Sequence, residues 1–144
     1  MIIFKNGFVT LEYAPASDIL SFEMPNVDDI VMPEMKRSLT IIVEHVRNYD
    51  VKRILLDARQ TCVLVDDNSY AQIISDFYRD MMATRVQKIA RLITPDSIRE
   101  RVVKKLLDNT NLSIEVQWFT EVGSAVEWLK SGVLSKAQPQ SVPF

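Results

Sequence analysis

Cysteine and histidine are nearly missing from this chain of 144 residues, which has one of each, Cys62 and His45. That excludes a disulfide framework, a zinc finger and any multi-histidine metal site built from one chain. Glycine is scarce too: there are three, and none stands in a G-x-G or phosphate-loop spacing. Dinucleotide-binding turns of the Rossmann kind are therefore not expected. No apolar run approaches the ~20 residues of a membrane-spanning helix; the longest are short, such as Ile54-Leu55-Leu56. The opening Met1-Ile2-Ile3-Phe4-Lys5-Asn6-Gly7 lacks the basic-then-apolar order of a signal peptide. A net charge of −2 gives no general field for a polyanion. The lone thiol fits a reducing, cytoplasmic compartment, and the size and style fit a bacterial or archaeal protein.

What is present is ordinary soluble-protein material: 47% hydrophobic and 25% charged residues. A chain this long buries roughly two thirds of its unfolded surface, so it needs neither metal nor disulfide to fold. The reading is a single domain over residues 1–132. The last twelve residues, Val133 to Phe144 (VLSKAQPQSVPF), are rich in Pro, Gln and Ser and are expected to form a flexible tail.

Strand and helix signals alternate along the body. Val9–Tyr13 alternates apolar and polar, Ala14–Asp18 is a turn, and Ile19–Met24 is a second strand, which together make an antiparallel hairpin. Pro33 opens a helix whose stripe is Met35, Leu39, Ile42, Val43 and Val46. Arg53–Asp57 has the continuous apolar centre of a strand covered on both faces. Asp66 to Ser69 offers caps for a helix with Ala71, Ile74, Phe77, Tyr78, Met81 and Met82 inward. Lys88–Ile93 is a strand, and Ile98, Val102, Val103, Leu106 and Leu107 form the stripe of a third helix. Ser113–Phe119 is the last strand; Thr120 caps a final helix, with Gly132 just past its end. The order β-β-α-β-α-β-α-β-α predicts an α/β fold: a five-stranded mixed sheet with an N-terminal antiparallel hairpin and four helices.

Three stretches carry a resemblance to a known family: Arg53-Ile54-Leu55-Leu56-Asp57, Lys88 to Ile93, and Phe119 to Leu129 with its F-x-x-x-x-x-A-x-x-W-L pattern. They resemble the STAS-like superfamily and, within it, the SpoIIAA-like branch, which is related in fold to the CRAL-TRIO lipid-binding domains. The resemblance covers nearly the whole chain and rests on apolar patterning. It implies a regulatory or protein-interaction module like the anti-sigma-factor antagonists. In that family a phosphorylatable Ser, usually within D-S-S-G, opens the helix after the third strand. The corresponding stretch is Asp66-Asp67-Asn68-Ser69-Tyr70, without the Gly and with a longer loop after Asp57.

The expected phosphorylation or partner surface is therefore Asp67, Asn68, Ser69 and Tyr70. A phosphate on Ser69 would meet free N–H groups at a helix N-terminus. Its charge of about −1.5 to −2 would repel an acidic partner. The plainer reading makes Ser69, Asn68 or Asp67 a helix cap. The stretch from Arg85 to Lys105 is basic, and Arg85, Lys88 and Arg91 are the candidates for holding an anion or a lipid headgroup; otherwise they are solvated strand and helix ends. Nucleic acid is disfavoured because no aromatic residues interleave with these cations.

The acidic pairs Asp28-Asp29 and Asp66-Asp67 lack the ligand spacing of an EF-hand, so solvated loops are the better reading. His45 has no Ser or Cys motif beside it and reads as a helix-edge residue. Cys62, three residues after Arg59, reads as buried or inert. The methionines and aromatics (Met24, Met32, Met35, Phe77, Tyr78, Met81, Met82) read as core, although a surplus would suit a cavity for an apolar ligand. An apolar rim at Met32 and Met35 would suit homodimerisation or ligand access. No nucleophile or acid–base pair assembles from these residues, so no enzyme activity and no cofactor are expected. The primary expectation is a non-enzymatic interaction module without stable membrane insertion; the alternative is a carrier or sensor of a small apolar or lipid-like ligand.

Overall fold

The structure, a computed structural model, describes residues 1–131. The expected tail from Val133 and the expected Gly132 stop lie outside the described residues. The elements are β1 (Ile2–Lys5), β2 (Thr10–Ala14), β3 (Ile19–Glu23), α1 (Met32–Asn48), β4 (Arg53–Asp57), α2 (Asp67–Met82), β5 (Lys88–Leu92), α3 (Ile98–Asp108), β6 (Glu115–Phe119) and α4 (Val122–Lys130). A 3-10 turn, Asp29–Val31, leads into α1.

Among the described residues the fold is α/β with four helices and a mixed sheet, as the alternation predicts, but the sheet has six strands rather than five. The additional strand is β1. It pairs antiparallel with β2 along the sheet edge and carries a register irregularity between Ile2 and Phe4. That irregularity breaks the period-two pattern, and Ile2-Ile3-Phe4 is an apolar run too short to read as a strand by itself. The β1–β2 turn is closed by Asn6, whose Oδ1 accepts from the Phe8 and Val9 amides at 2.7 and 2.9 Å.

The strands lie in sequence order across the sheet. β2 and β3 form the predicted hairpin, and β3 to β6 run parallel, each joined to the next by a helix. Residues of α1, α2 and α3 pack with Leu11, Leu20, Phe22, Ile54, Leu56 and Ile89 in the main core. Ala125, Trp128 and Leu129 of α4 pack on the other face against Ile19, Ala90, Leu92 and Phe119. β4 and β5 are therefore covered on both faces, which suits the continuous apolar centre of β4, Ile54-Leu55-Leu56.

Local chemistry sets the helix positions. Pro33 lies in the first turn of α1. Val46, Val43, Ile42, Leu39 and Met35 are buried on its inner side, and the equally buried Ser38 hydroxyl accepts from Asn6 Nδ2 at 3.2 Å. Asp66 caps α2 by accepting from the Ser69 amide at 2.7 Å, and Ser97 caps α3 by accepting from the Glu100 amide at 3.2 Å. α4 starts after Glu121 without a side-chain cap, not at Thr120.

The third helix departs from its expected stripe in its first turn, where Ile98 is 74% exposed. Val103 and Leu107 are buried as expected, Val102 and Leu106 are half-buried, and Glu100 is buried beside them. Glu100 meets the buried Arg91 of β5, an ion pair that apolar periodicity does not reveal.

Candidate functional site

The loops that follow β3, β4, β5 and β6 gather at one end of the sheet, the end where ligands and partners meet open α/β sheets in general. Two of these loops are zipped together. The Val27 amide donates to the Cys62 carbonyl at 2.9 Å and the Leu64 amide to the Val27 carbonyl at 2.8 Å, extending the parallel pairing past β3 and β4. Thr61 Oγ1 donates to the Met24 carbonyl at 2.9 Å. The Cys62 amide donates to Asn26 Oδ1 at 2.8 Å.

Three large apolar side chains stand in water on this rim: Ile30 at 86%, Leu64 at 64% and Ile98 at 74% exposure. Burying each fully would be worth about 1.5–3 kcal/mol. They are linked by short steps. Asp28 caps the turn that holds Ile30, with Oδ1 accepting from the Ile30 amide at 3.0 Å. Its neighbour Val27 is bonded to Leu64. Beyond Leu64 comes the Asp66 cap of α2, and Asp67 is ion-paired with Arg99, the residue after Ile98.

The predicted surface at the start of α2 lies within this rim. Asp67, Asn68 and Ser69 are exposed and Tyr70 is buried. The capping oxygen belongs to Asp66, and the Ser69 amide donates to it. The hydrogen bonds from the Ser69 amide and from its side chain hold the Asp66 carboxyl below its ordinary range. The Arg99 guanidinium sits 5.7 Å from the Tyr70 ring centre. A pocket of about 120 Å³, lined by Ala58, Thr61, Val63, Tyr70, Ser97 and Glu100, opens between these loops.

Behind the rim is a buried ionic centre that sequence reasoning missed. Arg91 is fully buried. Its Nε and Nη2 donate to the two Glu100 carboxylate oxygens at 2.7 and 2.8 Å, and Nη1 donates to the Tyr78 hydroxyl at 2.9 Å. Trp118 Nε1 donates to Glu100 Oε1 at 3.0 Å. Burial opposes ionisation of Glu100, but the Arg91 charge and the donated hydrogen bonds outweigh it and hold the carboxyl below its usual range. Burial likewise pushes Tyr78 and Tyr70 up. The only signal in the sequence is Arg91 inside the apolar stretch of β5; Glu100 stands between Arg99 and Arg101 and looks like a solvated helix residue.

Arg85, Lys88 and Arg91 do not form a common anion-binding surface. Arg91 is consumed by Glu100. Lys88, three residues away on the same strand, points to the opposite face and is also buried. Its Nζ donates to the Trp128 and Ser131 carbonyls at 3.0 Å each. Burial lowers its pKa. Arg85 is exposed and lies 3.6 Å from Asp50.

The remaining candidates fall into place. Asp28 and Asp66 serve as caps. Among the described residues no group of three or more His, Cys, Asp or Glu side chains is placed to hold a metal ion. His45 sits on α1 with Nδ1 2.9 Å from the Ile41 carbonyl and its ring beside Phe4 and Tyr49. Cys62 is exposed, not buried, because its loop forms the outer part of the rim. Met24, Met35, Phe77, Tyr78 and Met81 are core residues, and Met32 and Met82 are partly buried against them.

A second feature lies on the face that α4 leaves open. α4 covers β4, β5 and β6. Over β2 and β3 there is a depression of about 420 Å³, bordered by Thr10, Glu12, Ser21, Glu23, Leu55 and Asp57. Arg59 spans one side and binds Asp57 through two hydrogen bonds, at 3.0 and 2.8 Å. These bonds hold the Asp57 carboxyl below its ordinary range.

No helix among the described residues is long and apolar enough to cross a membrane. In comparison with known proteins, no family model matches the chain and no curated protein matches it.

Proposed function

We propose that this protein is a non-enzymatic interaction module of the STAS-like, SpoIIAA-like kind. It meets a protein partner at the rim formed by the loops after the parallel strands, around the start of α2. One observation carries this reading. Ile30, Leu64 and Ile98 stand exposed on neighbouring loops at one end of the sheet, and exposed apolar side chains edged by charge suit a protein contact. Ser69 has an exposed side chain at the same end. A phosphate there would change the charge of the contact.

The carrier reading has weaker support. The methionines and aromatics that would line an apolar cavity are packed into the core. The depression over β2 and β3 is edged by Glu12, Glu23 and Asp57, a poor lining for a lipid-like molecule.

The test is site-directed photo-crosslinking in cells that express the protein. A photoreactive residue replacing Ile98 is expected to give one discrete protein adduct. The same residue replacing Tyr49, at the other end of the sheet, is expected to give none. Adducts of equal yield from both positions, or from neither, would overturn the assignment.

A further inference from the structure

We infer that the rim takes a basic, amphipathic segment of its partner, with apolar side chains over Ile30, Leu64 and Ile98 and Lys or Arg side chains among the surrounding carboxylates. This rests on the interaction function proposed above and adds the chemistry of the partner.

Charge is the argument. The segments joining β3, β4, β5 and β6 to the helices that follow them carry Asp28, Asp29, Asp66, Asp96 and Glu121. Their one cation is Arg59, and Asp57 holds it through both carboxylate oxygens. Asp67, one residue into α2, adds a further carboxylate and is met by Arg99. The field at this end is therefore negative in excess of its internal pairing. Carboxylates at helix N-termini are expected from the helix dipole and from capping. The dipole does not explain why Ile30, Leu64 and Ile98 stand among them in water. Apolar anchors among carboxylates in excess of their internal pairing fit a partner of the opposite charge, which the carboxylates steer and the anchors retain.

The same charge disfavours other occupants. A two-fold dimer through this rim would set the same carboxylates of two copies against each other. A nucleic acid or an anionic membrane would present phosphates to them.

The test uses the full chain with labelled Ile and Leu methyl groups, observed by NMR. The probes are three synthetic peptides of roughly 18 residues, about five helical turns. All share one leucine stripe and carry Lys, Gln or Glu on the polar face. The Lys peptide is expected to shift the methyls of Ile30, Leu64 and Ile98. Its affinity should fall about tenfold or more when salt is raised from low to several times physiological strength. The paired variant Leu64→Ser/Ile98→Ser should lose the shift while keeping the dispersed core methyl spectrum of the parent.

If the Gln or Glu peptide shifts the same methyls as strongly, the rim binds proteins and the basic partner is wrong. If no peptide shifts them at millimolar concentration, both the inference and the interaction site fall. Shifts of these methyls on dilution without peptide would assign the rim to a second copy and overturn the inference. Shifts confined to other methyls, such as Leu55, would overturn it as well.

Discussion

The two ends of the parallel strands are built from the same kind of connection and finish in different electrostatic states. At the N-terminal ends, the short segments carry Asp18, Asp50, Lys52 and Arg85, and these pair with one another. At the C-terminal ends the segments carry five carboxylates, from Asp28 to Glu121, and one cation that Asp57 already holds. One end is neutral and closed on itself. The other holds unneutralised charge and the exposed Ile30, Leu64 and Ile98. The lesson is that residue class alone does not mark a contact surface; what matters is whether the charges find partners within the fold.

The contrast repeats inside the sheet, on a single strand. β5 buries a cation near each of its ends. Lys88, at the start, is met by the carbonyls at the end of α4. Arg91, near the finish, is met by a full carboxylate. Carbonyl dipoles suffice for an amine that lies near the surface, whereas a fully buried guanidinium needs a counter-charge and several acceptors.

The strongest way to break this pattern is at Glu100. Glu100→Ala leaves Arg91 buried without its counter-charge and should cost about 3–5 kcal/mol in urea unfolding. Replacing both partners by leucine should recover most of that loss, because the desolvation cost disappears with the charge. Recovery of less than half would mean that the hydrogen bonds to Tyr78 and Trp118 carry the stability.

The same pair makes a pH prediction. The folded Glu100 carboxyl has a pKa below its unfolded value. Its stabilising contribution is therefore complete above the ordinary glutamate range of about 4.3 and is lost as pH falls through that range toward the folded value. The Glu100→Gln variant should show a flatter decline of stability below about pH 5 than the parent. An equal slope would show that other carboxylates control acid unfolding.

Lys88→Met sharpens the comparison at the neutral end. It removes the bonds to Trp128 and Ser131. The expected loss is about 1–2 kcal/mol, smaller than for Glu100→Ala because only neutral acceptors are left behind. A loss as large as the Glu100→Ala value would erase the distinction between the two cations.

Asp50→Asn should matter less still, by about 0.2–1 kcal/mol, since its partners Lys52 and Arg85 are solvent-exposed. The smallest stability effect belongs to the rim. Ser69→Asp should move unfolding by no more than about 0.5 kcal/mol, because the side chain is exposed and the backbone amide at that position still donates to Asp66. It should nevertheless change peptide binding. A basic probe should bind the variant more tightly and an acidic one less tightly, as titration by fluorescence anisotropy would read directly.

Much of the fold was legible along the chain because apolar period and turn chemistry are local. The alternation of strand and helix, the β2–β3 hairpin, Pro33 at the start of α1 and the doubly covered β4 all follow from neighbouring residues. β1 was not legible: three apolar residues with an irregular register acquire strand geometry only by pairing with β2. The candidate site was legible in part. The start of α2 and the exposed Ser69 could be placed from capping residues. The exposure of Ile30, Leu64 and Ile98 could not, since an apolar residue beside a helix start is more often read as core.

By itself the sequence determined the class of the fold and the order of its elements, because periodicity and backbone propensity act over a few residues. It also determined that the C-terminal loops would be acidic. Only the tertiary structure decided that Glu100 turns inward to Arg91 and that Ile98 is exposed. The reason is long-range electrostatics in a dry interior. The lowest free energy of a buried guanidinium depends on a carboxylate nine residues away on another element, a pairing that the apolar period of α3 does not encode.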